Sequence, residues 1–182
     1  MKLNDKSGMK GWTVIKLFDA SGKERKLFKV NSLWSNFHKL TGLDLKIPFL
    51  FGSWGFGGIK LNTVTNLGRQ VCAQQLGGTT TTPCTAIAIG IGSPSTTALG
   101  SEITTGGGAR GAAAVTNITT TNTGDTEQWV KTFTFTLSFA ITEEGLFDNN
   151  SSGGNLVASQ SFSAVNVVNT DTLQVTHKIQ ET

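Results

Sequence analysis

The stretch of sequence that decides the fold class is Trp129-Val-Lys-Thr-Phe-Thr-Phe-Thr-Leu-Ser-Phe-Ala-Ile141. Large apolar side chains occupy its odd positions, with Lys131 as the exception, and Thr or Ser fills the even positions from 132 to 138. This alternation places the apolar side chains on one face of an extended chain. We therefore predict one strand that ends near Ile141, with half of its side chains in the core.

Further strand patterns lie on both sides of this stretch. Cys84–Ile91 is a run of small and apolar residues, and Leu156–Phe162 follows a turn predicted at Asn149–Gly154. The last run, Thr172–Ile179, alternates Leu, Val, His and Ile with polar residues. Strands at short intervals with turn signals between them are typical of antiparallel sandwiches. We predict a mainly β protein, an antiparallel β-sandwich of the jelly-roll or Ig-like kind.

The N-terminal part reads as a hairpin followed by a helix. Two β-type runs, Trp12–Phe18 and Arg25–Val30, flank the turn-forming residues Asp19–Gly22. Apolar residues at three-to-four spacing predict a short helix from Asn31-Ser32 to Leu40. A second short helix is predicted at Asn66–Leu76, where Gly77-Gly78 would end it and where Leu67, Val71, Cys72 and Leu76 share one face.

Charge is distributed unevenly along the 182 residues. Residues 1–60 hold eleven Lys/Arg and four Asp/Glu, whereas residues 61–182 hold four Lys/Arg and eight Asp/Glu. We predict a basic N-terminal arm over residues 1–60, with a hairpin, a short helix and an aromatic, Gly-rich linker, and a β-sandwich body over residues 61–182. Such an arm could meet nucleic acid or an acidic protein surface, although a solvated hairpin is the simpler interpretation.

We expect this arm to be a docking element, because its aromatic and basic side chains suit an interface better than a free surface. Nucleic-acid contact through the arm is the lesser alternative, since the aromatic residues recur as those of a buried face would. The docking residues that we predict are Trp12, Lys16, Phe18, Arg25, Lys26, Phe28, Trp34, Phe37, Phe49, Phe51, Trp54 and Phe56.

Residues that could carry catalysis are few. His38 and His177 are the two histidines, and no compact set of metal ligands surrounds either in the sequence. Glu143-Glu144 is a paired carboxylate, but neighbours in an extended chain point to opposite faces, so a strand-end or capping role is expected. Cys72 and Cys84 are interpreted as buried or half-buried thiols, and their pairing stays open. We predict no enzymatic activity, no cofactor, no metal, no small-molecule substrate and no membrane contact.

From Asn66 onward, the chain resembles a family of tailed-phage virion proteins that includes the N-terminal modules of tail-collar fibre proteins. The resemblance rests on the order of several motifs. Arg110 follows the third motif at the short distance that is usual in that family. The motifs are Thr65-Asn-Leu-Gly-Arg-Gln-Val71, Thr85-Ala-Ile-Ala-Ile-Gly-Ile-Gly92, Thr97-Ala-Leu-Gly-Ser-Glu-Ile103, Ala140-Ile-Thr-Glu-Glu-Gly-Leu-Phe-Asp148 and Gly154-Asn-Leu-Val-Ala158.

The resemblance implies a virion structural subunit of the head decoration, neck or collar, or tail apparatus, made in the host cytoplasm. Its partners would be copies of itself and other virion proteins. The alternative is a tail-fibre-type module that binds a receptor or carbohydrate. Gly145 would permit a tight bend after the long strand, and Leu146 and Phe147 would then re-enter the core. The structural motif that we expect comprises Glu143, Gly145, Leu146, Phe147 and Asp148.

Overall fold

A computed structural model describes residues 8–30, 52–55, 58–79 and 82–182 of the chain. The described part is mainly antiparallel β-structure with one helix, which confirms the predicted fold class. The strands are β1 (Met9–Phe18), β2 (Glu24–Arg25), β3 (Leu27–Val30), β4 (Gly52–Gly55), β5 (Gly58–Val64), β6 (Ala86–Gly90), β7 (Gly111–Ala112), β8 (Ala114–Ile118), β9 (Thr126–Thr134), β10 (Phe139–Phe147), β11 (Leu156–Val167) and β12 (Thr172–Glu181), and the helix is α1 (Asn66–Leu76).

One sheet contains most of these strands and is nearly closed as a barrel. Its order is β7-β6-β10-β11-β5-β1-β12-β9-β8, with β2 beside β1, while β3 and β4 form a separate ribbon. The two end strands, β7 and β8, are consecutive in the chain, so one bent segment joins the two edges of the sheet. Ala113 lies at the bend and donates its N–H to the carbonyl oxygen of Thr85 at 2.7 Å.

The predicted hairpin at the N-terminus is present only in part, because Leu27–Val30 pairs with β4 and not with β1, and the hairpin belongs to the body. β1 and β2 pair around the turn at Asp19–Gly22. However, β1 also pairs along its whole length with β12 and over part of it with β5. Ile15 and Leu17 are buried in the main core. The predicted division at residue 60 is therefore corrected: Met9–Phe18 is an inner strand, because its alternate apolar side chains fill the barrel.

The stretch that decides the fold class forms two strands instead of one. β9 ends at Thr134 and β10 begins at Phe139, and the residues between them leave Leu137 53% exposed although Phe135 is buried. The interruption occurs because the chain passes between two parts of the sheet. β9 pairs with β12 and β8, whereas β10 pairs with β11 and β6.

β10 also continues beyond Ile141, and both of its faces are covered from Glu143 to Phe147. One face, which includes Leu146, belongs to the main core. The other face packs in a smaller cluster that contains Phe147, Leu156 and Leu99. Gly145 is therefore not the bend that was predicted. It lies inside the strand, where an added Cβ would come within 2.7 Å of a Leu156 methyl carbon.

The helix α1 has the bounds that the sequence predicts. Thr65 caps its first turn by accepting the N–H of Gly68, and Gly77 ends it. The predicted apolar face is only partly used, since Val71 is buried while Leu76 is 92% exposed. α1 packs on β11 at Gly68, where no side chain separates the two backbones. Within the described residues, no helix has the length and apolar character needed to cross a membrane.

Candidate functional site

The structure describes the side chains of five of the twelve predicted docking residues. Trp12 and Phe18 are half-buried on β1 and Lys16 is exposed there, while Arg25 pairs with the buried Asp171 at 2.8 Å. Lys26 is exposed beside β2. The backbones of Phe28 and Trp54 are paired in the β3–β4 ribbon, and the remaining predicted positions lie outside the described residues. Those positions are Trp34, Phe37, Phe49, Phe51 and Phe56.

The Glu143 side chain organises the loop that follows β6. Its Oε1 accepts the backbone N–H groups of Gly92 at 3.1 Å and Ser101 at 2.8 Å, and its Oε2 accepts that of Gly100 at 2.9 Å. The side chain is fully buried. Bonds from backbone N–H groups to a carboxylate are charge-assisted and hold both partners in place. Glu143 thus holds residues 92–101 against the sheet. This is a capping role, but Glu143 lies within β10 and not at the end of the strand.

Two glycines make room for this carboxylate. A Cβ at Gly90 would lie 2.3 Å from the Glu143 Oε1, and one at Gly92 would lie 3.1 Å from it. A third, Gly100, lies so close to Ser93 that a Cβ would come within 2.3 Å of its carbonyl oxygen. The Gly-Ile-Gly sequence at 90–92 and the distant Glu143 are therefore parts of one structural unit.

Glu144 points the other way, as adjacent residues in a strand must, and enters the barrel. Its Oε1 accepts the hydroxyl of Thr13 at 2.6 Å, and both of its oxygens lie 3.1 Å from His177 Nδ1. His177 Nε2 lies 2.6 Å from the side-chain amide of Asn62. Thr13, Glu144 and His177 are at most 1% exposed. We call Thr13, Asn62, Glu144 and His177 the polar core cluster.

The polar core cluster is fully hydrogen-bonded. With its oxygen turned to His177, the Asn62 amide accepts from Nε2 and from the Trp12 N–H, and it donates to the Gly11 carbonyl. His177 Nδ1 and the two Glu144 oxygens are then hydrogen-bond partners of each other. Such a network fixes strand positions, because each polar atom would be costly to bury alone.

The arrangement resembles a catalytic triad only in its residue types. The carboxylate contacts both the hydroxyl and the imidazole, so the hydroxyl of Thr13 has its proton directed to Glu144 at 2.6 Å, while it lies 3.4 Å from His177 Nδ1. A nucleophile needs a base beside it and access for substrate. All three groups are enclosed by the barrel. The geometry therefore supports structural use of the polar core cluster.

The ion pair between Arg110 and Glu102 connects the motif that contains Glu102 to the motif that contains Phe147. Arg110 binds Glu102 through two parallel contacts, Nε to Oε1 at 2.9 Å and Nη2 to Oε2 at 2.5 Å. Its guanidinium carbon lies 3.5 Å above the ring centre of Phe147. Asp148, the next residue, accepts both the backbone N–H and the side-chain amide of Asn155, which closes the turn after β10. A guanidinium held both by a fork and by an aromatic face is strongly oriented.

A cavity with a mainly apolar lining lies at one end of the barrel, between α1 and the ends of several strands; we call it the end cavity. It measures about 480 Å³. Apolar or weakly polar side chains make up most of its wall, and three carboxylates also line it: Asp125, Glu127 and Glu181. The apolar group includes Met9, Cys72, Cys84, Val115, Trp129 and Ile179.

Both cysteines line the end cavity, and both are free thiols. Burial raises the pKa of the Cys84 thiol to about 12, and it also raises the pKa of Cys72. A thiol becomes a nucleophile or metal ligand only as the thiolate. The interpretation of both residues as half-buried thiols is confirmed.

Metal-binding geometry is not found in the described residues, where no group of three or more His, Cys, Asp or Glu side chains is placed to hold an ion. Comparison with known proteins gave no match to a family model, a curated protein or a solved structure.

The sequence identified Glu143 and His177 as residues of interest but missed what they contact. No local pattern in the sequence marks Thr13 and Asn62 as partners of His177, because they lie 164 and 115 positions from it along the chain. One signal was available for Glu144. No turn-forming residue other than Gly145 separates Ile141 from Phe147, which favours a strand that continues through both glutamates.

Proposed function

We propose that this chain is a structural subunit of a tailed-phage virion, located in the head decoration, neck or collar, or tail apparatus. The observation that carries the proposal is the convergence of the motif residues. Glu143 binds the loop beside Leu99, while Arg110 and Glu102 pair above Phe147. Glu143, Arg110, Glu102 and Phe147, which belong to the features that carry the resemblance to tail-collar proteins, therefore make internal contacts, as expected for a scaffold.

We further propose that the chain has no catalytic activity of its own and works through contacts with copies of itself and with other virion proteins. The enclosure of Glu144 and His177 supports this proposal, because their chemistry is directed inward. A surface rich in Thr, Ser and Gly also suits close subunit packing with few charges to desolvate.

A receptor- or carbohydrate-binding role is less well supported. Sugar-binding surfaces usually present exposed aromatic platforms. Among residues whose side chains the structure describes, the large apolar groups with high exposure are aliphatic: Leu61, Leu76, Ile91, Val115, Leu137 and Val168.

The test is to purify particles of the phage that encodes the chain and to quantify their proteins by mass spectrometry. We expect a fixed copy number per particle that survives washing in high salt, and immunogold labelling at one position of the particle. Absence from purified particles would exclude the proposal. Light scattering of the purified protein would add the size of any assembly that forms without other components.

A further inference from the structure

As formed by the described strands, the barrel is open along one part of its seam. β7 pairs with β6, and the bond from Ala113 to Thr85 is the last contact of that ladder. Beyond it, β8 pairs with β9 on one side, and no described strand pairs with its other side. An unpaired strand edge presents backbone N–H and C=O groups that can bind another extended chain.

Nothing in β8 protects this edge in the ways common to natural sheets. Charged side chains, proline and bulges usually block edge-to-edge pairing. The strand Ala114-Val-Thr-Asn-Ile118 has no charged residue and no proline, its register with β9 is regular, and Val115 is 44% exposed. The edge is therefore compatible with addition of a strand.

The end cavity lies directly behind this edge. Val115 and Asn117 of β8 contribute to its wall, as do Pro83 and Cys84 on the opposite side of the seam. The Trp129 indole N–H donates to the Cys84 carbonyl at 2.7 Å and holds the two sides together above the opening. A strand added to β8 would place alternate side chains over an apolar hollow.

The charge of the cavity wall is acidic. Asp125, Glu127 and Glu181 line it, and no Lys or Arg does. Asp125 is held by backbone N–H groups of its own loop, so Glu127 and Glu181 are the carboxylates best placed to meet a partner. An extended segment with apolar and basic residues would match both properties of the cavity.

We infer that the open edge of β8 and the end cavity form a docking site for a second copy of this chain, which enters with its basic segment Lys23–Val30. This inference rests on the proposed function, because it names the contact through which subunits associate. The segment carries four basic residues, of which Arg25 is already paired with Asp171, and one acidic residue, with Leu, Phe and Val among them. Its last part, β3, is already extended and, within the described residues, pairs with β4 alone.

A matched pair of variants tests the site in the whole protein. Val115→Lys replaces an apolar side chain of the docking site with a charge that repels the basic segment, whereas Val168→Lys makes the same change at a valine of similar exposure, 50%, outside the end cavity. We expect self-association, measured by sedimentation velocity, to weaken by about tenfold or more in Val115→Lys and in the double variant Glu127→Lys/Glu181→Lys. Val168→Lys should associate as the wild type does. Equal association of all four proteins would overturn the docking site and leave the proposed function standing.

A peptide experiment tests the same site whatever the oligomeric state. The probe is the eight-residue peptide of positions 23–30 with blocked ends, and the control peptide replaces its four basic residues with Glu. We expect the basic peptide to bind wild-type protein, to slow maleimide modification of Cys72 in the end cavity, and to bind Val115→Lys about tenfold more weakly or worse. Failure to bind, or equal binding to the wild type and Val115→Lys, would overturn the inference. A protein that self-associates and binds the peptide as expected, yet is absent from particles, would instead count against the proposed function alone.

Discussion

Replacing Glu143 should destabilise the protein more than any change of an exposed acidic residue. Glu143→Ala removes the acceptor of the N–H groups of Gly92, Gly100 and Ser101. Each buried N–H left without a partner costs about 1–3 kcal/mol, which sums to about 3–9 kcal/mol. Because residues 93 and 95–98 of the loop are exposed, water can reach part of it once it loosens. We therefore expect a loss of about 3–4 kcal/mol, near the upper end for single substitutions.

Glu143→Gln gives an intermediate case with a defined geometry. An amide nitrogen cannot accept a hydrogen bond, so an amide oxygen in the place of Oε1 keeps two bonds and faces Gly100 with a donor. The expected loss is about 1–2 kcal/mol. Glu127→Ala is the matched control, since its carboxylate accepts one exposed bond from Asn117 and should change stability by less than about 0.5 kcal/mol.

Equilibrium unfolding in urea measures these differences, and amide hydrogen exchange locates them. In Glu143→Ala, exchange at Gly100 and Ser101 should accelerate more than exchange in the neighbouring strands, because the loop opens locally. A Glu143→Ala protein within about 1 kcal/mol of the wild type, with these amides still protected, would refute the role assigned to the carboxylate.

Four other outcomes follow from the geometry. Alanine normally stabilises a helix by about 1 kcal/mol relative to glycine. Gly68→Ala should nevertheless lower the melting temperature, because the alanine Cβ would lie 2.1 Å from a carbonyl oxygen of β11. A rise in the calorimetric melting temperature would contradict this. Arg110→Lys should cost about 1–2 kcal/mol in urea unfolding, since an ammonium cannot bind Glu102 through a fork or stack on an aromatic ring; no loss would contradict it. Burial raises the pKa of Cys84 from its ordinary value of 9.0 to about 12, so its contribution to stability is complete below pH 9 and is lost as the pH rises toward 12. Cys84→Ala should therefore show a smaller decline in stability over that range, and parallel curves would argue against the shift. Hydrogen bonds, first from the Asn122 N–H, lower the pKa of Asp125 below its ordinary value of 3.8. The order of its loop should therefore be kept above that pH and lost in stronger acid; protection factors of the loop amides that do not fall on acidification would contradict this.

Local pattern was sufficient for most of the secondary structure. The bounds of α1 were predictable because capping at Thr65 and termination at Gly77 depend on residues a few positions apart. The strands near the C-terminus were predictable from alternation, since every second side chain of β12 from Leu173 to Ile179 is buried. The opposite orientation of Glu143 and Glu144 also followed from strand geometry alone, and the structure confirms it.

The division of the chain into an arm and a body could not be predicted from local pattern. A basic, aromatic N-terminal stretch predicts an arm, yet β1 lies between β5 and β12 in the sheet. Lysines such as Lys16 can be exposed on an inner strand, because the alternate residues of that strand face solvent. Net charge therefore says little about whether a segment belongs to the core.

By itself, the sequence determined the class of the fold and the limits of α1, because those properties depend on neighbouring residues. Only the tertiary structure decided that the alternating stretch at 129–141 breaks into two strands and that Glu144 meets His177 inside the barrel. It alone decided that, among the described strands, β8 is left with an open edge beside an acidic, apolar cavity. The physical reason is that strand pairing joins residues more than a hundred positions apart, and periodicity gives the face of a residue but not its partner.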